Sequence, residues 1–171
     1  DLEVHKALMD RYRSAVYDQD LIIFFSLFIH IGNNKDFLGG KPEVLLTPSC
    51  TDALEMCALL LDLKEGDEVI MPSFTFVSTA TAFALRGARP VFVDVNTEFP
   101  NINPAKISAA LSERTKAIVV VHYGGAACAM DEILAIAYEH RIPVIEDAAH
   151  ALGGSYRNRK LGTLGALGTF S

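Results

Sequence analysis

Residues 143–150, Pro-Val-Ile-Glu-Asp-Ala-Ala-His, decide how this chain is read. A short apolar run stops abruptly at two adjacent carboxylates, Glu146 and Asp147, and small residues follow. That is the pattern of a buried strand whose carboxyl end carries acids. The same grammar recurs upstream: Val-Leu-Leu at 44–46, Glu-Val-Ile-Met-Pro at 68–72, Pro-Val-Phe-Val-Asp-Val at 90–95 and Ala-Ile-Val-Val-Val-His at 117–122. Between these runs, residues 51–63, 78–87, 104–113 and 130–141 carry apolar side chains at three- and four-residue spacing, which predicts helices. Thr51 and Asp52 offer a polar start to the first helix, and Gly66 and Gly87 stand where a left-handed residue is wanted. Strands that are apolar throughout, alternating with helices, imply a mostly parallel sheet covered by helices on both faces, an α/β domain.

The bulk properties agree. The 171 residues are 50% hydrophobic and 21% charged, enough for a core. The formal charge of -6 argues against nucleic acid as a partner, because no basic surplus exists to release counterions. Cys50, Cys57 and Cys128 lack paired metal-ligand spacing and read as reduced thiols of a cytoplasmic protein, with no metal site expected. Residues 21–31, Leu-Ile-Ile-Phe-Phe-Ser-Leu-Phe-Ile-His-Ile, fall far short of the roughly 20 residues of a membrane span and read as a buried strand or helix.

Ligands of parallel sheets collect at the carboxyl ends of strands. Here those ends are Thr47 to Thr51, Pro72 to Phe76, Asp94, His122 to Gly125, and Glu146-Asp147, a rim rich in hydroxyls, acids and imidazole. The turn before Thr51 is either an ordinary helix cap or an anion site built from free amides and hydroxyls. Phe74 and Phe76 are either core aromatics or a platform for a planar heterocycle. Asp147 is either a helix cap, with His150 at the surface, or the acid that keeps a pyridine nitrogen protonated, with His150 beside another ring substituent. Taken together, the functional alternatives describe a phosphate cup, a ring platform and an acid for a ring nitrogen.

Residues 44–95, followed by Val-His-Tyr-Gly-Gly at 121–125, residues 144–156 and Leu-Gly-Thr-Leu-Gly-Ala-Leu-Gly-Thr-Phe-Ser at 161–171, closely resemble the DegT/DnrJ/EryC1/StrS aminotransferases. The resemblance runs from about Glu43 to Ser171, with the motifs in family order. It implies the large domain of a type I aminotransferase (residues 44–171, in part), pyridoxal 5'-phosphate as cofactor, and a homodimer when full length. It implies amino transfer, with glutamate as donor, to a dTDP-4-keto-6-deoxy sugar in surface polysaccharide synthesis, nearest to the members that form dTDP-4-amino-4,6-dideoxygalactose. By the same resemblance Thr51 and Asp52 match the phosphate-binding turn, Asp52 through its backbone N–H. Phe76 matches the aromatic that stacks on the ring, Asp147 the acid on the ring nitrogen, His150 the residue beside the ring hydroxyl, and Ser171 a phosphate-binding serine.

Two departures from the family pattern stand out. The anchoring lysine belongs about five residues beyond Ser171, and none of the chain's lysines occupies that place. The chain alone is therefore expected not to transaminate, and a histidine at that position would make the protein a dehydratase. Residues 1–43 depart from the glycine-rich entry of the family, as a frameshifted or chimeric start would. A nicotinamide-dependent dehydrogenase would need a G-x-G-x-x-G turn after the first strand, which is missing. A non-catalytic protein on the same fold is the remaining alternative.

Overall fold

Neighbouring residues of these strands enter two different cores, which is why the strands show no polar alternation. The computed structural model describes residues 22–26 and 43–171. Seven strands form one sheet: β1 (Ile22–Ser26), β2 (Glu43–Thr47), β3 (Glu68–Pro72), β4 (Arg89–Val93), β5 (Thr115–Val121), β6 (Val144–Asp147) and β9 (Leu167–Phe170). Their order is β2-β1-β9-β6-β5-β3-β4, and every pairing is parallel. A small antiparallel ribbon of β7 (Ser155–Tyr156) and β8 (Arg159–Lys160) lies between β6 and β9 in the chain. Among the described residues, four helices connect the strands: α1 (Cys50–Leu60), α2 (Val77–Ala84), α3 (Pro104–Ala110) and α4 (Met130–His140).

Met71, Val119, Ile145 and Leu167 pack on one face with Leu54 and Cys57 of α1 and Phe83 of α2. Ile70, Ile118, Val120, Val144 and Phe170 pack on the other with Ile107 of α3 and Ile133 of α4. Each large side chain buried this way is worth about 1.5–3 kcal/mol, so two such layers hold the sheet from both sides. The expected parallel sheet with helices on both faces is therefore what the chain forms. The apolar segment 21–31 supplies a strand, Ile22–Ser26, inserted between β2 and β9; the rest of it, and most of residues 1–43, lie outside the described residues. Among the described residues no helix is long and apolar enough to cross a membrane, and no group of metal-binding side chains occurs.

One local expectation is corrected. The first helix begins at Cys50, with Ser49 as its cap: Ser49 is extended (φ -153°, ψ 165°) and its hydroxyl oxygen accepts from the Asp52 N–H at 3.1 Å. Asp52 completes the cap by accepting from the Ser49 hydroxyl at 2.6 Å. Gly66 and Gly87 do take positive φ, 89° and 82°.

At the amino edge of the sheet, buried Glu68 accepts from Ser112 (2.6 Å), Arg89 (2.5 Å) and Arg114 (2.9 Å). The Ser112 bond first, then Arg89 and Arg114, hold its carboxyl down to about 2, from an ordinary 4.5. A depressed folded value means that the stabilisation is complete above about pH 4.5 and is lost as pH falls through about 2. Urea midpoints of wild type and Glu68→Gln should therefore differ at neutral pH and converge between pH 4.5 and 2. A gap that ignores pH would show that the charge is not what Glu68 contributes.

All three cysteines are free and buried. Burial, and then the charge of Asp147, pushes the Cys50 thiol up to about 12; burial, and then Glu146, does the same to Cys128. Burial likewise raises Cys57 well above its ordinary range. The thiolate is the reactive form, so at pH 8 the folded protein should resist alkylation at all three positions, whereas the denatured chain reacts. Rapid labelling of any one of them in the folded state would contradict this packing.

Candidate active site

The parallel sheet brings the carboxyl ends of β3, β5, β6 and β9 to one edge, and a cleft opens there. Its walls are Phe74, Thr75, Phe76, Val121, Tyr123, Asp147, Ala149 and His150, around a space of ≈ 170 Å³ that lies open to solvent and falls below the roughly 300–1,000 Å³ of complete small-molecule sites. Phe74 is 49% and Phe76 72% exposed, so neither belongs to the core. The Phe74 and Tyr123 rings meet edge-on at 5.0 Å, and Tyr123 meets the His150 ring at 5.7 Å. The aromatic rim is thus continuous from the end of β3 to the turn after β6.

Asp147 lies at the floor, 5% exposed, at the last position of β6 between Val121 of β5 and Thr169 of β9. Its Oδ1 accepts from the Ala149 N–H (3.2 Å) and lies 3.9 Å from the Cys50 Sγ; its Oδ2 accepts from Thr79 Oγ1 at 2.8 Å. No helix follows Asp147, so the helix-cap alternative fails; the side chain closes a tight turn instead. A carboxylate has about four acceptor positions, and Asp147 faces the cleft with capacity to spare.

Of the residues singled out from sequence, the fold gathers Phe76, Asp147 and His150 around this cleft. Thr51 and Asp52 sit just beyond, in the first turn of α1, whose Cys50 touches Asp147. The Asp52 N–H, expected to meet the phosphate, donates here to the Ser49 hydroxyl oxygen at 3.1 Å. Ser171, exposed, follows β9 two residues after Thr169, the neighbour of Asp147. Neither Thr51 nor Ser171 lines the cleft.

Two rim residues are corrected outright. His122 and Glu146 are fully buried and turn to the opposite face of the sheet. The Cys128 N–H donates to His122 Nδ1 (3.2 Å), which leaves the imidazole proton on Nε2 and facing Glu146 Oε2 at 2.8 Å. Glu146 also accepts from the backbone N–H groups of Gly162, Leu164 and Gly165 at 2.6–2.8 Å. This knot pins the loop before β9 rather than facing a ligand. Asp94, also on the expected rim, is exposed and paired with Lys106 at 2.5 Å.

Sequence reasoning placed Tyr123 and Cys50 on the rim without giving either a role, and it missed Thr79. Thr79 sits inside a helical pattern, so nothing in its local sequence marks it.

A buried carboxylate under an aromatic-walled cleft, on the carboxyl edge of a parallel sheet, offers a place for a flat heterocycle with a ring nitrogen above the acid. The family model for the DegT/DnrJ/EryC1/StrS aminotransferases matches residues 33–171, and the chain belongs to that family. Its cofactor is pyridoxal phosphate, and the donor set here, a buried acid below exposed aromatics, fits that group.

The spore coat polysaccharide biosynthesis protein SpsC of Bacillus subtilis is 45% identical over 135 residues, 79% of this chain and 34% of that protein. DesI, solved in the presence of its TDP-sugar product, is 39% identical with a TM-score of 0.61, over 68% of this chain and 29% of DesI. Spr1654 of Streptococcus pneumoniae, solved in PLP, PMP and apo forms, is 29% identical with a TM-score of 0.66, over 68% of this chain. In its PLP form the match covers 34% of Spr1654. The chain thus spans about a third of the length of the curated relatives it matches.

Proposed function

We propose that the full-length protein transfers an amino group from glutamate to a dTDP-4-keto-6-deoxy sugar, forming dTDP-4-amino-4,6-dideoxygalactose for a surface polysaccharide. Family membership supports amino transfer to a sugar. The TDP-sugar product of DesI and the polysaccharide role of SpsC support the substrate class. The observation that carries the reading is the Asp147 carboxylate at the floor of the aromatic cleft.

Bound pyridoxal phosphate supplies a carbonyl that captures amines and a ring that accepts electrons. The chain's own residues prepare it. Asp147 keeps a proton on the ring nitrogen, in a site where little water competes. Phe76 provides a flat apolar surface for one ring face, and His150 stands beside a ring substituent. The Thr51 amide, in the first turn of α1, and Ser171 hold the phosphate, the helix start contributing its partial positive charge. Covalent anchoring and proton transfer fall to a lysine about five residues beyond Ser171. Residues 44–171 form the first part of the cofactor-binding large domain. The assembly is a cytoplasmic homodimer in which both subunits contribute to each site.

The test supplies the full-length protein, loaded with pyridoxal phosphate, with glutamate and the dTDP-4-keto-6-deoxy sugar. A 4-amino sugar and 2-oxoglutarate should appear together. A 3-deoxy sugar product would identify a dehydratase, and no product from a protein that binds the cofactor would leave a non-catalytic role.

A further inference from the structure

Thr79 is fully buried in α2, yet its hydroxyl is bonded to two side chains rather than to its own helix. Its Oγ1 lies 2.8 Å from Asp147 Oδ2, across 68 positions of sequence, and 2.8 Å from Thr75 Oγ1, four residues earlier. An ionised carboxylate only accepts, so Thr79 donates to Asp147 and must accept from Thr75. The relay therefore has one direction: Thr75 to Thr79 to Asp147. The other oxygen, Oδ1, accepts from the Ala149 N–H at 3.2 Å. The Cys50 Sγ makes a weak further contact to Oδ1 at 3.9 Å, so donors on both oxygens fix the rotation of the carboxylate.

We propose that Thr79 is a positioning residue: its hydroxyl holds the Asp147 carboxylate in the orientation and charge state that keep the proton on the cofactor's ring nitrogen. This rests on the reading of the cleft as the pyridoxal phosphate site. Thr75 orients the Thr79 hydroxyl and ties the relay to the wall of the cleft, which Thr75 itself lines. Removing the Thr79 hydroxyl takes away the donor on Oδ2, so the proton shared between Asp147 and the ring nitrogen shifts toward the carboxyl.

The experiment uses the full-length protein loaded with pyridoxal phosphate carrying 15N in the ring. It compares wild type, Thr79→Val and Thr79→Ser by the ring-nitrogen chemical shift and by cofactor affinity in a fluorescence titration. Wild type and Thr79→Ser should show the shift of a protonated pyridine. Thr79→Val should move toward the neutral value and bind roughly tenfold more weakly, as loss of a hydrogen bond to a charged group implies. Should Thr79→Val not fold, Thr79→Ala reads out the same loss in a residue that helices accept readily.

A Thr79→Val protein that binds more weakly with an unchanged nitrogen shift would mean Thr79 only packs, and would overturn the proposal. So would wild-type shift and affinity. A wild-type protein that binds no pyridoxal phosphate would instead remove the cofactor reading, and this proposal with it.

Discussion

Asp147→Asn should slow the reaction with glutamate by at least about a hundredfold, some 2.7 kcal/mol of transition-state stabilisation, while leaving the fold nearly unchanged. The two halves of that expectation come from different contacts. Asp147 accepts from the Ala149 N–H at 3.2 Å and from the Thr79 hydroxyl at 2.8 Å; an asparagine carbonyl caps a turn nearly as well as a carboxylate, and a hydroxyl can rotate to accept from its NH2 group. Stability should therefore change by less than about 1 kcal/mol. With its carbonyl committed to Ala149 or Thr79, the variant turns an NH2 group toward the cleft. An amide N–H can only donate to a ring nitrogen, so that nitrogen must give up its proton, and the ring loses most of its capacity to accept electrons. The check is single-turnover loss of the cofactor's visible absorbance on adding glutamate to the full-length protein, with urea unfolding alongside. An unchanged rate would confine Asp147 to closing its turn.

How much of this was legible beforehand depends on range. The strand Glu68–Pro72 is found with the same limits in sequence and structure, because a run of apolar residues between a glycine turn and a proline has few other readings. Asp147 was legible for a similar reason: a carboxylate closing a buried run needs a partner. The sequence treated Glu146 and Asp147 as one acidic rim, and that was the error. Successive strand residues point to opposite faces, and both faces of this sheet are covered, so the two carboxylates could never have shared a site. The helix start was missed by one or two residues for a local reason, since Ser49, Thr51 and Asp52 are all competent caps and only backbone geometry chooses among them. Thr79 was beyond reach altogether. Its role depends on a contact spanning 68 residues, and within α2 it reads as one more small residue among alanines.

The neighbouring carboxylate should behave in the opposite way. Glu146→Gln should cost about 2–4 kcal/mol of stability while leaving the cleft chemistry untouched in whatever protein remains folded. The glutamate accepts from four donors: His122 Nε2, and the N–H groups of Gly162, Leu164 and Gly165. A glutamine carbonyl can serve Leu164 and Gly165, which share Oε1 now. Its NH2 group then faces Gly162 N–H and His122 Nε2, both donors. The imidazole cannot escape by changing tautomer, because His122 Nδ1 already accepts from the Cys128 N–H. At least two buried donors are left unpaired, each at about 1–3 kcal/mol, offset in part by relaxation of the loop. That loop packs tightly onto β9: a Cβ on Gly168 would collide with the Gly162 carbonyl, so the loop has little room to move away from the strand. Denaturant unfolding of wild type, Glu146→Gln and Asp147→Asn side by side gives the decisive comparison. The pair predicts a large stability loss with normal half-reaction rate at 146, and a large rate loss with normal stability at 147. Equal stability losses at both positions would mean that the two faces of the sheet do not divide structure from chemistry as the contacts indicate.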